Sequence, residues 1–209
     1  MIQVIRPFGP TIAKVTIPKE IVDELNKYID NIINNSQKSK ELDYGKMLAG
    51  NVKQEFLLEK EFAVLSGWEN FLKINAEQWI NKSVNKKINE FKIIDTWIVR
   101  QFENEYNPLH AHGGHISGVG YLKLPDEFGK TVQDVKTENV NGNLQLVHGS
   151  KMFLSPISLN IKPKVGEFYF FPNYLMHTVY PFKNKNSERR SISFNALIDT
   201  DIYEDYGKI

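Results

Sequence analysis

The sequence predicts a mainly β fold with helices gathered toward its N-terminal end, an α+β arrangement, and two observations carry that expectation. Apolar residues recur at helical spacing up to about residue 90, and from Phe91 onward the period changes to two, in short segments separated by Gly, Pro, Asn or Asp. Many short strands after helices suit a sandwich or barrel with the helices packed on one face. The 209 residues suit one domain, expected over 1–209, with a helical part over 1–90 and a β core over 91–200.

The first helix is expected over residues 18–33, where Ile21, Val22, Leu25, Tyr28, Ile29, Ile32 and Ile33 share a stripe. Pro18 suits the first turn and Glu20 the positive end of the helix dipole. Residues 34–40, NNSQKSK, are polar and rich in breakers, so the chain should continue there as a solvated loop. The stretch GKMLAGNVKQEFLL shows no clear period. A second helix is announced by Ser66, Gly67, Trp68 and Glu69 at capping-box spacing, and runs through Phe71, Leu72, Ala76, Trp79, Ile80 and Val84. That aromatic stripe is what a helix laid on a sheet presents.

The expected strands are IIDTWIVRQF, HISGVGYLKL, NLQLV, ISLNI, EFYFF, HTVY and SISFNALI. Residues 128–143, FGKTVQDVKTENVNGN, form a polar loop of a length that could cover a site at a barrel mouth.

Composition narrows the function classes. Lys and Arg total 26 against 25 for Asp and Glu, a net charge of +1, which supplies no broad field for nucleic acid or anionic lipid. The absence of cysteine excludes disulfides, thiolate metal sites and cysteine nucleophiles, and fits a reducing cytoplasm. The start MIQVIRPFGPTIAKV lacks a signal-peptide core, and no run approaches the roughly 20 apolar residues of a spanning helix. Cytoplasmic residence is expected, with no membrane partner.

Chemistry concentrates in PLHAHGGHISGVGY, where three of the chain's five histidines, His110, His112 and His115, fall within six residues. Crowded imidazoles repel once protonated and each buried ring nitrogen needs a partner, so metal binding is the first function to test. In an extended segment His110 and His112 share a face and can reach one ion. His177, 65 residues beyond His112 and at the start of the strand after Pro172, can supply a third nitrogen from the opposite side of a barrel or sandwich. Three nitrogens on one side of an ion leave positions open, the requirement for catalysis rather than structure. Further on, Arg189 and Ser191 share one strand face while Ile192, Phe194 and Ala196 take the other. An inward Arg is costly unless paired with an anion, and its planar fork suits a carboxylate, to which Ser191 could add a hydrogen bond.

The pattern HAHGGHISGVGYL, then PKVGEFYFFPNYLMH, then ERRSISFN resembles the 2-oxoglutarate- and Fe(II)-dependent oxygenases of the double-stranded β-helix (jelly-roll) fold, and more narrowly a bacterial and phage group with an HxH…H…RxS pattern. The resemblance spans about residues 97–195. It implies His110, His112 and His177 as iron ligands, Arg189 as the clamp on the far carboxylate of 2-oxoglutarate, Ser191 as its helper and Tyr121 as a further co-substrate contact. It also implies Fe(II), 2-oxoglutarate and O2 as cofactor and co-substrates, with hydroxylation of a protein or small molecule and release of succinate and CO2. For a phage protein the compartment would be the host cytoplasm.

One departure matters: the superfamily uses HxD or HxE, and His112 stands in the carboxylate position. A three-histidine shell, a shell completed by water, and a register shift to His115 all remain open. Two other readings compete. A cupin-like metal protein would ignore 2-oxoglutarate, and a structural-zinc sandwich domain would be closed to small ligands. Neither the primary substrate nor the oligomeric state is legible.

Overall fold

The computed structural model describes residues 9–133 and 135–205. The change of period coincides with the start of strand β3 (Phe91–Gln101), which helices α1 (Lys19–Ile33), α2 (Ser36–Glu41), α3 (Lys60–Leu65) and α4 (Trp68–Val84) precede. Strands β1 (Ala13–Thr16) and β2 (Gln54–Leu57) are interleaved with these helices. After β3 come β4 (Asn107–His110), β5 (Ile116–Lys123), β6 (Leu144–Val147), β7 (Ser158–Ile161), β8 (Glu167–Pro172), β9 (Met176–Val179), β10 (Arg189–Ile198) and the short α5 (Thr200–Tyr203).

All strand pairings are antiparallel and build two sheets, a large one in the order β1-β8-β5-β10-β3-β2 and a small one in the order β4-β9-β6-β7. The large sheet is covered by helices on one face: Phe168, Phe170, Ile192 and Phe194 pack with Leu25, Ile29, Trp68 and Phe71. Its other face meets the small sheet, where Val119, Tyr121 and Phe171 pack with Leu144, Leu146 and Val179. Two helix-side positions in the middle of β5, between Ile116 and Leu122, are glycines for a steric reason. A Cβ on Gly118 would stand 2.6 Å from Phe168 Cε1, and one on Gly120 2.4 Å from Phe168 Cδ2, so Phe168 occupies the space that side chains there would fill.

Several local expectations are corrected. Residues 34–40 are not merely a loop: Asn35 accepts hydrogen bonds from the backbone N–H groups of Gln37 and Lys38 and so caps α2. The capping box at Ser66 does not form, because Ser66 ends α3 with its hydroxyl on the Ala63 carbonyl, and α4 starts after Gly67 in the left-handed region at φ 77°. Val84 ends the α4 stripe 52% exposed, while Phe71, Leu72, Ala76, Trp79 and Ile80 are buried. Strands β1, β2 and β4 are additional to the expected ones; each is only four residues long, too short for its pattern to mark it, and lies at a sheet edge. Within 128–143 no described residue lines the cavity between the sheets; Phe128 packs edge-on against Phe182 instead.

Strand β10 alternates as its sequence requires, and two adjacent arginines diverge. Arg190 goes to the helix side, where it donates to Glu188, to Asp30 and to Asn26. Burial opposes the charge on Glu188, but hydrogen bonds from Arg100 and Arg190 outweigh it and hold its carboxyl down at about 2. A carboxylate depressed in this way stabilises the fold above its ordinary value, and that stability is lost as pH falls toward 2. Glu188→Gln should therefore cost about 3 kcal/mol in urea unfolding at pH 7 by removing the carboxylate that Arg100 and Arg190 share. The variant should also lose stability less steeply than wild type between pH 4.5 and 2; equal acid limbs would contradict the assignment.

Candidate metal centre and co-substrate pocket

Where the two sheets face one another, a cavity of about 360 Å³ opens with His110, His112 and His177 among its walls. The antiparallel register of β4 and β9 sets His110 directly opposite His177. His112 follows β4, where its backbone N–H donates to the Asn173 carbonyl and its own carbonyl accepts from the Asn173 side chain. The ring centroids lie 4.3 Å (His110 to His177), 4.8 Å (His112 to His177) and 5.0 Å (His110 to His112) apart. One nitrogen from each ring falls within 4.8 Å of the others, so the three can share one metal ion.

The tautomers fit that use. Nδ1 of His110 lies 2.7 Å from the Pro108 carbonyl, Nδ1 of His112 2.8 Å from Asn195 Oδ1, and Nδ1 of His177 2.9 Å from the Leu175 carbonyl. Each of those oxygens only accepts, so each Nδ1 carries the proton and each Nε2 keeps a free lone pair. Burial, opposed by the Asn195 hydrogen bond, lowers the His112 imidazole to about 4, and burial with the two neighbouring imidazoles lowers His177 to about 3. Both are neutral at pH 7, the form that ligates. Trp97 stands 5.4 Å from the His112 ring and Phe171 5.0 Å from His177, closing the sides with apolar surface.

His115 stays apart. Its ring stacks on Tyr203 at 4.0 Å and its Nδ1 meets the backbone of Ile198, so it pins the C-terminal turn to β10 and does not line the cavity. The remaining histidine, His148, is exposed.

Arg189 points the opposite way from Arg190, into the space between the sheets. It is 1% exposed, with Nε donating to the Gly142 carbonyl at 3.1 Å, Nη1 to Ser191 Oγ at 3.3 Å, and the guanidinium over the Tyr121 ring at 5.1 Å. Nη2 has no partner, nor has the buried Tyr121 hydroxyl, which burial pushes up to about 12 despite the adjacent guanidinium. Among the described residues no carboxylate pairs with Arg189. A fully buried cation with an unused N–H beside an unused hydroxyl and a serine forms a cradle for a carboxylate.

The cavity also contains residues that the sequence did not single out. Asn195, inside the SFN motif, accepts from both His112 Nδ1 and Ser117 Oγ, and its only sequence signal was its two-residue spacing from Ser193 and Ser191. Asp95, paired with Asn195 on the neighbouring strand, also lines the cavity, as do Glu55 and Tyr44.

Two antiparallel sheets thus enclose three imidazoles that can share an ion and, beside them, an arginine that has no acid partner among the described residues. Residues 95–195 match the model of a family described as "Putative 2OG-Fe(II) oxygenase". No curated protein matches the sequence. Solved structures do. A viral collagen prolyl hydroxylase from Paramecium bursaria Chlorella virus-1, in complex with 2-oxoglutarate, is 16% identical with a TM-score of 0.55, over 89% of this chain and 96% of that one. A Pseudomonas putida prolyl-4-hydroxylase is 14% identical with a TM-score of 0.54, over 88% and 91%. A Trichoplax adhaerens prolyl hydroxylase, in complex with a peptide of the hypoxia inducible factor oxygen degradation domain, is 10% identical with a TM-score of 0.59, over 94% and 87%. The family match covers residues 95–195, the segment that holds His110, His112, His177 and Arg189, and indicates a 2-oxoglutarate/Fe(II)-dependent oxygenase, an oxidoreductase working with Fe(II), 2-oxoglutarate and O2.

The hydrogen bond that holds the His112 ring is testable. Asn195→Ala should weaken binding of Mn(II) or Co(II) by about 10- to 100-fold in calorimetric titration, because the imidazole loses the group that fixes its tautomer. Unchanged affinity would remove Asn195 from the metal centre.

Proposed function

We propose that His110, His112 and His177 hold Fe(II) through their Nε2 atoms, that Arg189 with Ser191 and Tyr121 binds the far carboxylate of 2-oxoglutarate, and that the enzyme hydroxylates a protein side chain or small molecule with release of succinate and CO2. The observation that carries this reading is Arg189: a buried guanidinium with a free Nη2, beside an arginine whose charge the protein neutralises itself. Iron, when bound, supplies the activation of O2 and the oxidising chemistry.

The chain's residues supply orientation. The carbonyls of Pro108 and Leu175 and the Asn195 amide hold three rings in one tautomer, while Trp97 and Phe171 limit water beside them. Because His112 replaces the usual carboxylate, the protein contributes three neutral ligands, and the 2+ charge is offset by the anionic co-substrate. The strand sequence from β3 to β10 alternates between the two sheets except at the β6–β7 hairpin, which supports reading the core as a double-stranded β-helix. Helices from 1–90 share a hydrophobic core with β8 and β10, which favours one domain over 1–209. Among the described residues no helix is long and apolar enough to cross a membrane, and the lack of cysteine favours the cytoplasm, of the host if the protein is phage-encoded.

Anaerobic protein given Fe(II) and then 2-oxoglutarate should develop the visible charge-transfer band of the iron–2-oxoglutarate complex. His177→Ala should abolish the band, and Arg189→Ala should need more than about tenfold more 2-oxoglutarate to reach it, the cost of losing a charge-assisted contact. Iron binding without any band in the wild type would sink the reading and favour a cupin-like metal protein.

A further inference from the structure

The inner face of the large sheet, which carries Arg189 and Ser191, also holds a group that the proposed reaction leaves unused. Glu55 on β2 pairs with Val99 on β3, and Val99 pairs with Ser191 on β10, so Glu55 lies on the same inner face two strands from Ser191. At roughly 4.8 Å per strand that is about 10 Å of cavity wall. The residue is 2% exposed, lines the cavity, and neither carboxylate oxygen has a hydrogen-bond partner. Room for it is kept by Gly50, where a Cβ would stand 2.6 Å from Glu55 Oε1 and 3.1 Å from Asn107 Nδ2.

The surroundings of Glu55 add acceptors and no cation. Asp95 lies farther along the same face, four residues from Val99 on β3 and paired with Asn195, with its Oδ2 accepting from the Tyr44 hydroxyl at 3.0 Å. Asp43 and Glu105 add negative potential, and burial with these neighbours pushes the Glu55 carboxyl up to about 7. Arg100, on the neighbouring strand, is committed to Glu188 and Gln54. A carboxylate buried without a partner is costly, and a bound cation removes that cost.

We infer that Glu55 forms the subsite for the cationic end of the primary substrate, a protonated amine or a guanidinium. This rests on the oxygenase reading and gives it a substrate class. The face of the large sheet is then polarised: Arg189, two residues from Ser191 on β10, attracts the anionic co-substrate, Glu55 two strands from Ser191 attracts a cation, and His110 and His177 stand on the facing small sheet. Either charge in the wrong place meets its like, so the polarity sets the orientation of both molecules.

Calorimetric titration of the full chain, loaded anaerobically with Fe(II) and 2-oxoglutarate, tests this directly. The probes are the N-acetyl methylamides of lysine, arginine and norleucine, with free agmatine and cadaverine. Wild type should bind the cationic probes more than about tenfold tighter than the norleucine control, the scale of a buried charge-assisted hydrogen bond. Glu55→Gln should cut that ratio to about twofold or less, and Gly50→Ala, which crowds the carboxyl without removing it, should lower it several-fold. Tighter binding of the amides or of the free amines supports the subsite equally and assigns the cation to a peptide or to a small molecule. No preference in the wild type, or an undiminished one in both variants, overturns the inference. The chelate band of the wild type separates the two readings: a band without a cation preference removes the subsite alone, and a cation preference without a band removes the oxygenase assignment.

Discussion

The site depends on the alternation of one strand. Successive side chains of β10 must point to opposite faces, so Arg189 and Arg190, adjacent in sequence, are carried to opposite sides of the large sheet. Arg190 finds Glu188, Asp30 and Asn26 and becomes part of the framework. Arg189 finds a carbonyl, a hydroxyl and an aromatic face but no anion. The cost of burying both charges is thus met internally for one and left to a ligand for the other. A shift of one residue in the β10 register would exchange their roles and turn Ser191 and Asn195 away from the cavity.

The same economy of positions governs the histidines. Two come from the small sheet, where β4 and β9 pair His110 with His177, and the third from the loop that leaves β4. Their proton-bearing nitrogens are all turned toward fixed oxygens, so the free lone pairs converge without any rearrangement of the protein. Held neutral by burial, His112 and His177 suit an ion that already carries its own charge.

Motifs were legible where local pattern and chemistry coincide. The change of period at Phe91, the amphipathic stripe of α1 and the inward face shared by Arg189 and Ser191 follow from spacing alone. Short edge strands were not legible, because β1, β2 and β4 are each only four residues long, too short for their pattern to mark them. Glu55 was invisible for the same reason: a glutamate in the stretch without a clear period carries no mark of burial until β2 is laid against β3. Asn195 was visible as part of a motif but not as the group that orients His112, a contact spanning 83 positions in sequence.

What the sequence by itself determined is therefore the chemistry available: histidines and carboxylates as the ligand types in a chain without cysteine, an HxH pair able to share a face, and an arginine on the inward side of a strand. The tertiary structure decided which of these meet. It brought His177 to His110 and left His115 against Tyr203, gave Arg190 its acids and denied them to Arg189, and placed Glu55 in the wall of the same cavity. The physical reason is that strand period specifies the face on which a side chain lies, whereas its partners across the sheet depend on register and sheet order, which are settled only by packing the whole core.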